Sequence, residues 1–421
     1  MHILIKAHEI SPLRGSECSN GWNFVKGLSD HVKLTVVHAE TNQFGTVNYK
    51  KEIKTAKLSK DVDFISVKQP FITRLFSKLN VFLSRNNQGT GISILYFFGV
   101  YFWELKVYQE LKKIDLSNFD IIHNLNHISY REPSFLWKFN IPFVWGPTSG
   151  IGNIPLAFAK KFSLKFRIII FLRTVSNFFQ TKFSKRIILA SKKASKIFYV
   201  SKEDELFFKK FNKKIQYLPD VTIEKTNFNK KLIYKIKNKI NLIWVGRIDS
   251  IKSLDILLKV FKINPNLKDY FNIKIIGKGL LQEELANFCK SNNIDNVKWV
   301  GQINREKVKN EMLKSDLLVH TSIKEASATV IMEALSCELP VICHDAFGMS
   351  KIINSNIGFK IPYLSEEKSI NHLNKILVEI KKNPILLFNK SKNIKEEVKK
   401  FTNKNIIKEI LLSYEDIVNS L

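Results

Sequence analysis

Glu325 and Glu333 stand eight positions apart in KEASATVIMEAL (324–335), with only small or apolar residues between them. A helix beginning around Ser327 or Ala328 puts Glu325 just before its amino end and Glu333 over one turn inside. Both carboxylates can then face one crevice and accept hydroxyl hydrogen bonds, which charge strengthens. The free N–H groups of the first turn can meet an anion. The same spacing also fits two surface acids. A glycosidase pair would face each other across a bond rather than follow one helix.

A second constellation is WVGRIDSIKSLDILL (244–258). Gly246 ends a strand, Arg247 and Lys252 lie five apart, and a helix starts near Ser253. Two cations at a helix amino end suit a diphosphate; two solvated surface cations are the other reading. The third, AHEISPLRGSECSNGW (7–22), is a turn with Ser11, Pro12, Gly15 and Ser16, followed by Gly21 near a helix start. It fits an anion-holding loop or an ordinary strand-to-helix connection. It is not a GxGxxG, so the dinucleotide fingerprint is absent. In HNLNH (123–127), His123 reads as a core histidine, and His127 fits a structural histidine and a ligand-site residue equally. Cys18, Cys289, Cys337 and Cys343 form no CxxC and have no zinc-like spacing with histidine; they read as free thiols in a reducing cytoplasm.

These residues need elements to hold them. HILIKA (2–7), KLTVVHA (33–39), FDIIHNL (119–125), PFVWG (142–146) and KIFYVS (196–201) read as buried strands. INLIWVG (240–246), FNIKIIG (271–277), NVKWVG (296–301), DLLVHT (316–321) and PVICH (340–344) form a second series. Helical patterns alternate with both, among them Trp22–Ser29, Pro133–Phe139, SLDILLKVFK, LQEELANFCK and REKVKNEMLK. Repeated β-then-α units imply α/β architecture: two doubly wound parallel-sheet domains facing a central cleft. Ligands bind outside the carboxyl ends of such strands, where all three constellations fall. The expected domains are 1–218 and 219–405, with lysine-rich FNKKLIYKIKNKI (228–240) as surface. A terminal helix, 406–421, packs back with Ile407, Ile410, Leu411, Tyr414, Val418 and Leu421 on one stripe, the first domain being its expected partner.

At 421 residues and 45% apolar composition, two globular domains are the natural size, and global disorder is excluded. MHILIKAHEI reads as a first strand rather than a signal peptide. The uncharged run Thr90–Trp103 is too short to span a bilayer and reads as a buried helix. The net charge is +29, and between Leu156 and Val200 there are eleven basic residues and no acid. Interleaved apolar residues fit a basic amphipathic helix on an anionic membrane, an anionic acceptor, or a solvated lysine face.

The order GR-x4-K, a glycine-ended strand (WVGQINREKV), then E-x7-E leading into LPVI resembles the retaining, nucleotide-sugar-dependent glycosyltransferases of family 4, which have the two-Rossmann GT-B fold. SPLRGSECSNGW and REPSFLW…PFVWGP are similar to a bacterial subgroup of that family. The resemblance covers essentially the whole chain. It implies a hexosyltransferase that is retaining and needs no metal or cofactor. Its donor is a nucleoside-diphosphate sugar, UDP- or GDP-linked, and its acceptor a glycan or lipid-linked sugar of surface polysaccharide. Arg247 and Lys252 would clamp the diphosphate, Glu333 the ribose and Glu325 the transferred sugar. Ala326, Ser327, Ala328 and Thr329 would meet the distal phosphate, and Gly301, Gln302 and Ile303 the base. Gly15 would let the first-domain loop close over the donor, and His127 would serve the acceptor side. The catalytic set so implied is Glu325, Arg247, Lys252 and His127. The first domain, with its basic segment 156–200, would receive the acceptor. The expected location is cytoplasmic, or peripheral on the cytoplasmic face of the inner membrane. Three departures from the family pattern stand out: EASA replaces the usual EGFG, Glu338 replaces a glycine before LPVI, and WGPTSG (145–150) has no histidine. The rival readings are a nucleotide-sugar epimerase or hydrolase on the same fold and a basic nucleic-acid binder. The second lacks any zinc, RRM or helix-turn-helix signature, so no nucleic-acid partner is expected.

Overall fold

β-branched and aromatic runs become strands here because they can be buried on both faces of a parallel sheet. The computed structural model describes residues 1–421 except 16, 57, 59–61, 86–92, 224–238 and 327. Ser16, Ser327 and most of the lysine-rich run 228–240 therefore lie outside the described residues. Seven strands form the first sheet: β1 (His2–Ala7), β2 (Lys33–Ala39), β3 (Asp63–Val67), β4 (Ile121–Asn126), β5 (Phe143–Thr148), β6 (Lys196–Tyr199) and β7 (Ile215–Tyr217). Their order is β3-β2-β1-β4-β5-β6-β7, and every pairing is parallel. The second sheet holds β8 (Ile240–Val245), β9 (Phe271–Ile276), β10 (Val297–Gly301), β11 (Leu317–His320), β12 (Val341–His344) and β13 (Gly358–Ile361). Its order is β10-β9-β8-β11-β12-β13, again all parallel. These are two Rossmann-like sheets. All ten expected strands are present. The strands not anticipated, β3, β7 and β13, lie at sheet edges, where burial on both faces is not required and the apolar signal is weak.

In each sheet the chain builds outward in one direction, then returns to build in the other. The reversal falls between β1 and β4 in the first sheet and between β8 and β11 in the second. At such a switch point the two neighbouring loops leave in opposite directions and open a crevice at the strands' carboxyl ends.

The first compact unit comprises Met1–Ile151, Asn177–Asp220 and Asn403–Leu421; the second comprises Gly152–Ser176 and Val221–Thr402. Residues 152–176, expected within the first domain, thus belong to the second unit. The reason is apolar: Phe158, Phe162 and Ile170 are buried in its core with Leu254 and Leu257. Within the first unit, the terminal helix Asn403–Asn419 buries Ile406, Ile407, Ile410, Tyr414 and Ile417. Its buried stripe lies closer to the amino end than expected, and Leu421 is exposed. A Cβ on Gly27 would lie 2.6 Å from Ile407, so the helix Glu17–Ser29 needs glycine there for this packing. Pro133–Phe139, expected as a helix, yields only a short 3₁₀ turn at Leu136–Lys138. Of the uncharged run, residues 93–103 fall in the helix Ser93–Leu111, where Val100 and Trp103 are fully buried, and residues 90–92 lie outside the described residues. Among the described residues, no helix is long and apolar enough to cross a membrane.

Candidate functional site

At the β8/β11 switch point the two loops are stitched together. Trp244 Nε1 donates to Thr321 Oγ1 at 3.0 Å, and Thr321 Oγ1 donates to the Lys252 carbonyl at 3.0 Å. The Ile323 N–H donates to the Ile251 carbonyl at 2.9 Å. Asp249 organises the β8 loop: its Oδ1 accepts from the N–H groups of Ile251 (3.0 Å) and Lys252 (2.9 Å). Ser253 then enters the helix Leu254–Ile263 with φ 50°, a left-handed turn.

Lys252 Nζ is thereby aimed at Glu325 and forms an ion pair with it. Glu325 Oε1 also lies 3.4 Å from Nε2 of the buried His320. Burial pushes the Glu325 carboxyl up, but His320 and Lys252 outweigh it and hold it at about 2. It is therefore an anion at neutral pH. Among the described residues Arg247 pairs with Asp249, and 73% of its side chain is exposed. A paired cation and anion and an exposed guanidinium thus share the switch point.

The helix Thr329–Ser336 starts two residues later than the earliest expectation, with Ala328 as its N-cap; among the described residues no side chain caps it. Ala326 accepts from the Gly348 N–H at 3.0 Å, and Thr329 is exposed. Glu333 Oε1 accepts from Arg305 Nε at 2.6 Å, a partner the sequence reading missed. Arg305 follows β10 in the helix Arg305–Leu313 and is 75% exposed along its side chain. Gly301, at the end of β10, has φ 79°; Gln302 beyond it is exposed and Ile303 half-buried.

The sequence reading also missed Gly277 and Gly279, after β9. A Cβ on Gly277 would lie 1.8 Å from the Gly246 carbonyl, and one on Gly279 would lie 2.1 Å from that of Ile248. The two loops run backbone to backbone, with Ile248 N–H donating to Lys278 O at 3.0 Å. The overlooked signal was two glycines at i, i+2 directly after a strand. Glu338, where the family pattern has glycine, sits at φ 55° just past the Thr329–Ser336 helix. That left-handed position explains the glycine preference.

The β1/β4 switch point of the first unit carries a second cluster. His127 follows β4, and its Nδ1 lies 3.6 Å from Glu17 Oε1 and 3.3 Å from the Tyr96 hydroxyl. Glu17 also accepts from the Ile128 N–H at 2.9 Å. The His8 ring packs on His127 at 4.3 Å. Burial lowers the His127 pKa, but Glu17 more than offsets it, so the net shift is upward. Burial, with His127 and Lys6 nearby, drives His8 well below its usual value. His127 Nε2 is buried and meets no hydrogen-bond partner among the described residues. Glu17 was not foreseen as a site residue. Gly15 is exposed, with nothing near a Cβ placed on it, so this conformation gives no steric reason for glycine there. Gly21 has one: a Cβ would lie 3.0 Å from Asn126 Nδ2. His123 is structural, set between the Tyr414 hydroxyl (2.5 Å) and the Gly146 carbonyl (2.6 Å). All four cysteines are buried, and none forms a disulfide among the described residues.

Residues 225–401, less than half of the chain, match the family model for glycosyl transferases group 1. The chain is 28% identical over 189 residues to an uncharacterised glycosyltransferase of Methanocaldococcus jannaschii, covering 45% of this chain and 52% of that one. It is 25% identical over 143 residues to the amylovoran biosynthesis glycosyltransferase AmsK of Erwinia amylovora, covering 32% and 35%. The chain thus spans about half the length, or less, of these curated relatives. Among solved structures, Anabaena HepE in complex with UDP aligns over 100% of both chains with TM-score 0.59 and 17% identity. That likeness establishes the two-Rossmann GT-B fold.

Proposed function

We propose that the protein is a retaining family 4 glycosyltransferase that moves a hexose from a UDP- or GDP-sugar to a glycan or lipid-linked acceptor in surface polysaccharide synthesis. The observation that carries this reading is the meeting of Lys252, Glu325 and Arg247 at the β8/β11 switch point, inside the segment similar to group 1 glycosyl transferases. The donor's diphosphate draws Lys252 from Glu325 and recruits the exposed Arg247. Glu325, still beside His320, accepts hydrogen bonds from the sugar hydroxyls. The amino end of the Thr329–Ser336 helix, with Ala326, Ser327, Ala328 and Thr329, faces the distal phosphate. Glu333 exchanges Arg305 for the ribose, and the backbone of Gly301, Gln302 and Ile303 meets the base. The positive groups stabilise the charge growing on the leaving diphosphate. The acceptor hydroxyl bonds to the anomeric carbon on the face the diphosphate leaves, and its proton passes to the departing phosphate oxygen, so configuration is kept. The unpartnered Nε2 of His127 gives the first unit a polar atom for the acceptor. HepE was solved with UDP, which supports a uridine donor as the first to test.

The basic segment supports an acceptor at an anionic membrane on the cytoplasmic face, with some of its charge engaged elsewhere. Lys161 pairs with Asp255, and Arg186 with Glu132. The helix Leu164–Phe183 nonetheless exposes Leu164, Ile168, Leu172 and Phe179 along one arc with Lys165 and Lys182.

A thermal-shift screen against nucleotide sugars tests the donor, since a ligand of the native state raises its melting point. A shift with UDP- or GDP-sugars is expected, and Glu333→Ala should weaken nucleotide binding about tenfold in calorimetry while the fold stays intact. Unchanged affinity would remove the ribose role. Full conversion of the donor without acceptor would favour the epimerase or hydrolase reading instead.

A further inference from the structure

The helix Phe71–Arg85 in the first unit is amphipathic in the wrong sense for a helix on a protein core. Its fully buried positions are small and polar, with Thr73 0% exposed, Ser77 2% and Asn80 9%, beside the half-buried Phe76 that stacks on Phe98 and Phe102. Thr73 Oγ1 donates to the Gly99 carbonyl at 2.9 Å, and Ser77 Oγ to Gln43 Oε1 at 3.1 Å. Gly99 eases this packing, since a Cβ there would lie 3.0 Å from Gln43 Oε1 and 3.4 Å from the Thr73 methyl. Its outward face carries Phe71 (82% exposed), Leu75 (53%), Leu79 (43%) and Phe82 (67%). At 3.6 residues per turn, these positions span roughly 80° of the helix surface. Exposed leucines and phenylalanines scattered singly need no explanation; four in one stripe, over buried polar positions, do.

Charge indicates what covers the stripe. Residues 64–103 contain no acid and four basic residues, Lys68, Arg74, Lys78 and Arg85. Arg74 and Lys78 are exposed and, by helical spacing, border the apolar stripe on one side. A second protein copy would bring the same positive charge to this face. An anionic bilayer supplies both hydrocarbon for the stripe and negative headgroups for its border.

We propose that the Phe71–Arg85 helix lies in the interface of an anionic membrane, with Phe71, Leu75, Leu79 and Phe82 inserted among the acyl chains. This surface is separate from the basic segment 156–200 and does not rest on the glycosyltransferase reading. The test uses the full chain with vesicles of phosphatidylcholine alone or with one quarter phosphatidylglycerol. An environment-sensitive fluorophore is attached at Leu75→Cys, and at Lys113→Cys as a control. The probe at 75 should shift to the blue on phosphatidylglycerol vesicles and return as salt is raised; the probe at 113 should not move. Phe71→Ser/Phe82→Ser should weaken vesicle binding about tenfold, with circular dichroism and melting temperature unchanged. Binding to vesicles with a silent probe at 75 would assign membrane contact to another surface and overturn the proposal. So would a blue shift without vesicles that follows a doubling of mass in sedimentation, because a second copy would then cover the stripe.

Discussion

Glu325 and Lys252 neutralise each other where the proposed donor would need both. Removing the lysine leaves a largely buried carboxylate beside His320 alone. Lys252→Ala should therefore lower stability by about 1–3 kcal/mol in denaturant melts and weaken nucleotide-sugar binding about tenfold or more. An undiminished affinity would exclude Lys252 from the phosphate site. Glu17 and His127 make the parallel case in the first unit. Here the folded-state histidine pKa is raised by its partner. The pair's contribution is full below the unfolded value of about 6.5 and fades as pH rises through the folded value. In Glu17→Gln, burial and Lys6 are opposed by Glu9 alone, so the NMR titration of His127 should move downward. A titration that stays raised would mean that another group holds the proton.

The glycines after β9 and β10 act at the scale of elements. Gly277 and Gly279 let one loop lie directly on the backbone of the Arg247 loop, where any side chain overlaps a carbonyl oxygen. Gly301 has a left-handed φ but no such obstruction. Gly301→Ala should cost about 1–2 kcal/mol of conformational strain. Gly277→Ala and Gly279→Ala should each cost about 3 kcal/mol or more, since the backbone must shift. They should also reduce nucleotide affinity by displacing Arg247. Equal melting points for all three variants would refute the contact. The Phe71–Arg85 helix, which the sequence reading did not anticipate, adds a lesson at this scale: tertiary contacts alone reveal which of its faces turns inward.

Across the whole molecule, each unit buries at least one histidine that desolvation keeps neutral. Burial lowers His123 to about 4 in the first and His344 to about 3 in the second. Both folded values lie below the unfolded one, so the unfolded chain binds protons first as pH falls. Stability is full above pH 6.5 and declines toward pH 4 and below. Melting temperature should drop over that window, by about 2–4 °C for each kcal/mol lost. His123→Asn should be less stable at pH 7 but show a flatter slope between pH 6.5 and 4. An unchanged slope would place the acid sensitivity elsewhere.

The linear sequence carried much of this. Alternating apolar runs and helical patterns specified two parallel α/β sheets, because burial on both faces demands continuous β-branched strands. The order of Arg247, Lys252, Glu325 and Glu333 after those strands marked the candidate site, because loops at strand carboxyl ends cluster wherever a sheet reverses its order. Tertiary structure alone decided the partners: Lys252 on Glu325, Arg305 on Glu333, Glu17 on His127. It also moved residues 152–176 into the second unit and gave Gly277 and Gly279 their purpose. Pairings between residues tens of positions apart depend on sheet order and loop direction. Local periodicity carries neither, so these contacts became visible only once the chain had folded.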